Sequence, residues 1–532
     1  MGKNSLNQKD FEQLNLKIDK LVASNAQLVL QVSDLLNQIK ELQKSNKKQA
    51  KNFSKTISEL KSIITELKLR IKEKDAEVAK LKEQVNKDSS NSSKPSSTNF
   101  YTKPKPKPST LNSRNSKGSV KKSNGGQKGH VGKTMELKKE ADEITRCIPS
   151  SCEGCPLFGK CNPTTIDSRT VVDVVIQPFQ TQYNREQYIC PMQGGALISG
   201  EYPIGVNSYM QYGNTLKSLV VTLSAFGMMS MSRIAETLNA LTGFTMSDSS
   251  VNNMILSCSN ECQKHIPILR KQIIDSQVVC LDETGIRVCG KVHWVHTAST
   301  KNMTLLVSNP KRGKLGIDAC GVLQHFKGYA VHDCWGSYYD ESYSGATHAV
   351  CGAHIDRELQ GVIDNHNQHW AKRMQKLLLK MYENKNELLA KGINVASKAM
   401  LKDFKQQYDK IIKKGISRNP VPNVRKKGRG RPKKGKIRSL IDRLEKLKDD
   451  VIRFFTDFRV PFSNNIAERS YRLSKKKMQI AGTFRASDGG ERFATIFSII
   501  DTCRKNGIGP IQSLSDILNG TFSLDFLNQT TR

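Results

Sequence analysis

The chain has 532 residues, with 84 Lys and Arg against 49 Asp and Glu, a formal net charge of +35. An excess of that size favours a polyanionic partner, nucleic acid before membrane. At 37% hydrophobic residues the chain cannot fill one large core throughout, and it has no apolar run of about 18 residues that would cross a bilayer.

The N-terminus, Met1-Gly2-Lys3-Asn4-Ser5, lacks an apolar signal region, so a cytoplasmic protein is expected. In that reducing setting its 13 cysteines serve as metal ligands or buried thiols more readily than as disulfides. A heptad repeat opens the chain over residues 1–88. Phe11, Ile18, Asn25, Val32 and Ile39 fall at a, and Leu14, Leu21, Leu28, Leu35 and Leu42 at d. Branched residues at a with Leu at d favour a parallel dimer, and Asn25 would fix its register. The seam resumes at Phe53 and runs through Ile64 and Leu67 to Val85; the 11-residue step from Leu42 to Phe53 reads as a stutter. A homodimer or higher oligomer through this coiled coil is expected.

Residues 89–135 are rich in Ser, Asn, Pro and Lys and contain no Asp or Glu. Such a segment cannot bury a core and reads as a basic linker, either a tether along phosphates or a plain spacer. Over 136–200, Cys152 and Cys155 have the bite of a zinc knuckle. Cys161 and Cys190 complete the favoured ligand set for a structural Zn²⁺, with Cys147 as alternate; a cluster of buried thiols is the competing reading. The stretch 170–176 reads as a strand. From 201 to 270 the pattern is helical. Ser232 is a plausible cap for one helix and Ser247 or Asp248 for the next, whose polar face shows Ser249, Asn252 and Asn253. Helix, turn and polar-faced helix fit helix-turn-helix DNA reading, and equally fit any small helical pair.

The central stretch lies in 271–360. Val278-Val279-Cys280-Leu281 run straight into Asp282 and stop at Gly285, the pattern of a buried strand that ends by delivering an acid. Tyr329-Ala330-Val331-His332-Asp333 repeats it. Further strand signals fall at 286–288, 292–297 and 303–307, with a helix-like stretch at 311–326. Three strands, a helix, then a further strand and helix match the order of an RNase H-like α/β fold with a mixed five-stranded sheet. There the first and fourth strands lie side by side, so Asp282 and Asp333 can meet. The segment 361–459 is largely helical and very basic. Its Gly-Arg-Pro core, with Arg429, Arg431, Lys433 and Lys434, fits an A·T minor groove or a solvated loop on phosphates. The second part of the core spans 460–532. There Glu468 sits on a helix with Arg469, Arg472, Lys475 and Lys476, DNA-binding candidates; Asn465 with Glu468 is also a capping box. The helix at 493–503 should pack on the sheet. Two aspartates and a distant glutamate offer hard oxygen ligands for a pair of divalent cations, Mg²⁺ or Mn²⁺.

Asp-Glu-Thr-Gly at 282–285, His-Asp-Cys-Trp at 332–335, Asn-Asn-Ile-Ala-Glu-Arg at 464–469 and the glycines from Gly482 to Gly507 resemble the transposases of the insertion sequence 66 family. Gly-Gly-Gln-Lys-Gly-His at 125–130, the cysteine cluster and the coiled coil are similar to that family's N-terminal parts. The resemblance implies a DDE transposase with an RNase H-like core, interrupted by a helical insertion over 361–459, and Asp282, Asp333 and Glu468 as its triad. It implies Mg²⁺-dependent strand cleavage and 3′-OH strand transfer on element ends and target DNA, with possible accessory proteins of the same element. Cys351 and His354 resemble a Cys-x-x-His element of some DDE enzymes. A non-catalytic DNA-binding regulator, or a metal-dependent nuclease without strand transfer, would share many of these features.

Overall fold

The computed structural model describes residues 8–44, 50–85, 140–157, 160–161, 167–174, 176–421 and 434–529. These fall into two compact units. One holds the described residues up to 85 with 208–236 and 246–529, and the other holds those of 140–207 with 237–245. The linker at 89–135 lies outside the described residues. No described helix is long and apolar enough to cross a membrane.

In the larger unit, α1 (Gln8–Lys44) and α2 (Ala50–Val85) pack against each other. The heptad is visible in their exposure. Leu14, Ile18, Leu21, Asn25, Leu28, Val32 and Leu35 are half-buried, Ile64 and Leu67 are buried, and the residues between face out. The described residues form two helices, ending at Lys44 and beginning again at Ala50; the stutter expected between Leu42 and Phe53 falls partly on 45–49, outside the described residues. Five residues cannot carry the chain back along a 37-residue helix, so the two run antiparallel. Within the chain, Asn25 Nδ2 donates to Asp75 Oδ1 at 3.2 Å.

The smaller unit contains an antiparallel hairpin, β1 (Gln187–Cys190) and β2 (Ala196–Ser199), paired from Gln187 with Ser199 to Cys190 with Ala196. Its turn uses left-handed Gly194 and Gly195, at φ +65° and +84°. The strand expected at 170–176 is not formed among the described residues. Val171, Val172, Val174 and Ile176 are exposed there.

Four helices precede the sheet: α3 (Asn214–Ala225), α4 (Met231–Thr242), α5 (Asp248–Gln263) and α6 (Ile266–Ile274). α4 begins one residue before Ser232, and Ser230 Oγ, not Ser232, accepts from the Arg233 amide. Ser247 caps α5 as expected, accepting from Ser250 N at 3.1 Å. α5 buries Val251, Met254, Ile255, Cys258 and Cys262, and Asn252 on its polar face accepts from Arg492 Nη1 at 3.0 Å.

The central sheet comprises β3 (Val278–Val288), β4 (Lys291–Ser299), β5 (Thr304–Asn309), β6 (Tyr329–His332) and β7 (Thr347–Val350), with α7 (Lys314–Cys320) between β5 and β6. Its order is β5-β4-β3-β6-β7; β3, β4 and β5 are antiparallel neighbours, and β6 joins β3 and β7 in parallel. This mixed five-stranded sheet is consistent with the RNase H-like expectation. One detail differs. β3 does not end at Asp282 but runs six residues further, because β4 pairs with it through Val288.

The insertion forms α8 (Gly352–His366), α9 (His369–Ala390), α10 (Lys398–Arg418), α11 (Lys436–Lys446), α12 (Lys448–Val451) and α13 (Arg453–Thr456). Trp370, Met374, Tyr408, Ile441 and Phe455 build its core, which continues into Cys280 and Val331 of the sheet. After it come α14 (Asn465–Ala481), α15 (Gly489–Lys505), α16 (Pro510–Leu518) and α17 (Phe526–Gln529). α15 packs on β5 as expected. Its Ser498 Oγ accepts from Leu306 N at 2.8 Å and its Thr502 Oγ1 from Thr304 N at 3.0 Å.

Candidate active site

The two aspartates are brought together by strand register. β3 and β6 pair Val278 with Tyr329, Val279 with Ala330 and Cys280 with Val331. Continuing that register by two residues sets Asp282 opposite Asp333, at the carboxyl end of the parallel β3–β6 pair. Sheet ends of this kind are where parallel strands deliver functional side chains.

Glu468 arrives from α14. Asn464, fully buried, precedes that helix and fastens it twice. Its Nδ2 donates to Leu281 O at 2.6 Å, one residue from Asp282, and its backbone N donates to Cys351 Sγ at 3.1 Å. The adjoining backbone is closely fitted: Gly352 N donates to Phe462 O at 2.8 Å, and a Cβ on Gly352 would lie 2.2 Å from the Phe462 ring. Only glycine permits that approach. The capping box suggested by Asn465 and Glu468 is not made. α14 starts at Asn465 with no side-chain cap, and the Glu468 carboxylate instead accepts from Arg357 Nη2 of α8 at 3.1 Å.

Burial first, then repulsion from Glu283, Glu468 and Asp333, pushes the Asp282 carboxyl up to about 8. Asp282 Oδ1 accepts from Glu283 N at 2.9 Å, whereas its Oδ2 is buried without a hydrogen-bond partner among the described residues. Asp333 Oδ1 accepts from Trp335 N at 2.9 Å. The sequence-predicted acids therefore share one charged neighbourhood. Among the described residues no three His, Cys, Asp or Glu side chains stand ready-made around an ion.

α14 turns three faces to three environments. Glu468, Tyr471 and Lys475, at helical spacing, face the acids. Burial and then the charges of Asp282 and Glu468 push the Tyr471 phenol up. Burial lowers Lys475, against the pull of Asp282 and Glu468. Arg469, Arg472 and Lys476 are exposed. Lys477 turns inward and donates to Ser224 O and Met229 O, at 3.0 and 2.6 Å. Of the other DNA-binding candidates, Arg429, Arg431 and Lys433 lie outside the described residues, and Lys434 pairs with Asp442 at 2.7 Å.

In the Cys-x-x-His pair Cys351 is buried and His354 half-buried. Burial pushes the Cys351 thiol up to about 11 and lowers His354 to about 4, and His354 Nδ1 has no partner among the described residues. Cys147, Cys152, Cys155, Cys161 and Cys190 are free thiols, exposed or half-buried, so they are not the buried cluster that was the competing reading. Nor do they gather into a metal-holding group among the described residues.

Sequence reasoning missed Asn464, Tyr471, Arg357 and Arg312. Asn464 was visible only as part of the Asn-Asn-Ile-Ala-Glu-Arg run. Asn464→Ala is expected to destabilise the protein by about 1–3 kcal/mol, since Leu281 O loses its buried donor, and to lower any activity that needs Glu468 beside Asp282. Denaturant unfolding with the same midpoint as wild type would contradict that role.

Residues 210–492, more than half the chain, match the profile of the family described as "Transposase IS66 family". The uncharacterized protein y4qI of Sinorhizobium fredii (strain NBRC 101917 / NGR234) is 35% identical over 85 residues. That match spans 15% of this chain and 14% of the relative's length.

Proposed function

This chain belongs to the IS66 family of transposases, and from that premise we propose that it binds the ends of its insertion sequence and cuts and joins DNA with Asp282, Asp333 and Glu468 as its DDE triad. One observation carries the assignment of residues: Asp282, amid three other carboxylates, keeps a buried oxygen with no hydrogen-bond partner among the described residues. A buried carboxylate crowded by like charge is costly unless a cation joins it. The donors are all hard oxygens, which suits Mg²⁺ or Mn²⁺.

Asp282, Asp333 and Glu468 would hold the ions. When bound, such ions supply charge stabilisation for in-line displacement at a phosphodiester. The protein's own groups do the rest. Asn464 fixes the start of α14, so that Glu468 stays beside the sheet. Arg357 neutralises Glu468 until it is engaged. Lys475 balances the negative charge of the acids, and the exposed Arg469, Arg472 and Lys476 meet backbone phosphates. Water attacks the phosphodiester at an element end, its P–O bond forming as the bond to the 3′-oxygen breaks. The freed 3′-OH then attacks a target phosphodiester in the same way. The two ends must be held together, so a complex of at least two copies is part of this reading, as are minor-groove contacts from the basic segment of the insertion.

The test is incubation of the full chain with end-bearing DNA and target, in Mg²⁺ or in EDTA. Joined product in Mg²⁺ alone is expected. Cutting without joining would make it a nuclease, and binding alone a regulator.

A further inference from the structure

Glu283, next to Asp282, is an acid that the triad does not use, and its side chain is only 2% exposed. Its Oε1 accepts from both Nε and Nη2 of Arg312, at 2.9 and 2.6 Å, and its Oε2 from the Tyr338 hydroxyl at 2.7 Å. The Arg312 guanidinium lies between two indoles, 4.8 Å from the Trp294 ring centre and 4.4 Å from that of Trp335. Trp335 in turn is tied to the other aspartate through its backbone N. The clamp is thus fastened to the neighbours of both Asp282 and Asp333.

We propose that Arg312 is a DNA-positioning residue, whose guanidinium takes a backbone phosphate close to the one that is cleaved. Neutralising Glu283 would require only a buried arginine. Arg312 is instead 44% exposed at its side chain, and its Nη1 makes no hydrogen bond among the described residues. A planar, permanently charged fork with one open edge matches a phosphate oxygen. Glu283 and the two tryptophans hold it in one orientation beforehand, so little side-chain freedom is lost when DNA arrives. Arg312 comes from the loop after β5, Trp294 from β4 and Trp335 from the loop after β6, so three segments converge to orient one side chain.

The inference rests on the reading of Asp282 and Asp333 as the cleavage site. Its test is a binding cycle in EDTA with the full chain and end DNA carrying a single neutral methylphosphonate at successive positions around the cleavage point. Arg312→Ala is expected to weaken binding about tenfold, the scale of a charge-assisted contact. One methylphosphonate near the cleavage point should cost wild type a similar factor and cost Arg312→Ala nothing. Because Arg312→Ala leaves Glu283 unpaired, the double variant Glu283→Gln with Arg312→Ala is measured beside it, and should show the same missing penalty. Additive penalties at every position, or a lower melting temperature with unchanged affinity, would overturn the role and leave Arg312 as a counterion only. Wild-type protein that cuts nothing in Mg²⁺ would count against the proposed function, while the EDTA cycle would still decide the phosphate contact.

Discussion

Asp282→Asn is expected to lower strand cleavage by about a thousandfold or more, the scale of losing several kcal/mol of transition-state stabilisation, while affinity for end DNA stays close to wild type. Asn keeps the volume, and its Oδ1 can still accept from Glu283 N as Asp282 does. What changes is the oxygen at Oδ2, which becomes an amide that offers a cation no charge. The exposed cations of α14 and the Arg312 clamp are untouched, so binding has no reason to fall. Cleavage of labelled end DNA in Mg²⁺, beside a binding isotherm in EDTA, separates the two. A variant that still cuts at the wild-type rate would remove Asp282 from the site.

The same substitution should stabilise the metal-free protein at neutral and alkaline pH. Asp282 stays protonated in the fold up to about 8, against an ordinary value of 3.8 for an aspartate carboxyl. Between those limits the unfolded chain binds fewer protons than the native one, so stability falls as pH rises through the window. It is flat below about pH 4, where both states are protonated, and flat again above about pH 8, where both are ionised. The penalty is of the order of a few kcal/mol. Asp282→Asn removes it, so its melting temperature should exceed wild type at pH 8.5 and approach it near pH 4, and added Mg²⁺ should narrow the gap at high pH. Parallel melting curves for the two proteins across that range would show that Asp282 carries no such strain.

Part of this arrangement was legible in the chain because strands write themselves plainly. The apolar runs before Asp282 and Asp333 and the order of elements between them are enough to set β3 beside β6. The end of β3 was not legible. Asp-Glu-Thr-Gly looks like a stop, yet Thr284 and Gly285 stay in the ladder because β4 supplies their partners. The heptad was legible as a seam but not as to its partner, since the same a and d positions serve a second chain or the chain's own return. Asn464 and Arg312 were hidden for a different reason. Their work is a contact to Leu281 or Glu283, far away in sequence, and no local periodicity records it. Glu468 had two readings from sequence, and its contact with Arg357 rather than with the start of its own helix removes the capping one.

The meeting of Gly352 with Phe462 bears on how such a protein can vary. The whole insertion leaves the sheet domain and re-enters it through a neck closed by one backbone hydrogen bond and a ring seated where a side chain is missing. With its two ends already joined, the length of chain between them adds little closure entropy to the catalytic half. Length can vary most readily in parts of the insertion that do not pack on the sheet, since Asp457 holds the Tyr329 hydroxyl and Arg453 the His348 carbonyl, and the neck itself is the place where even a single methyl group would be felt.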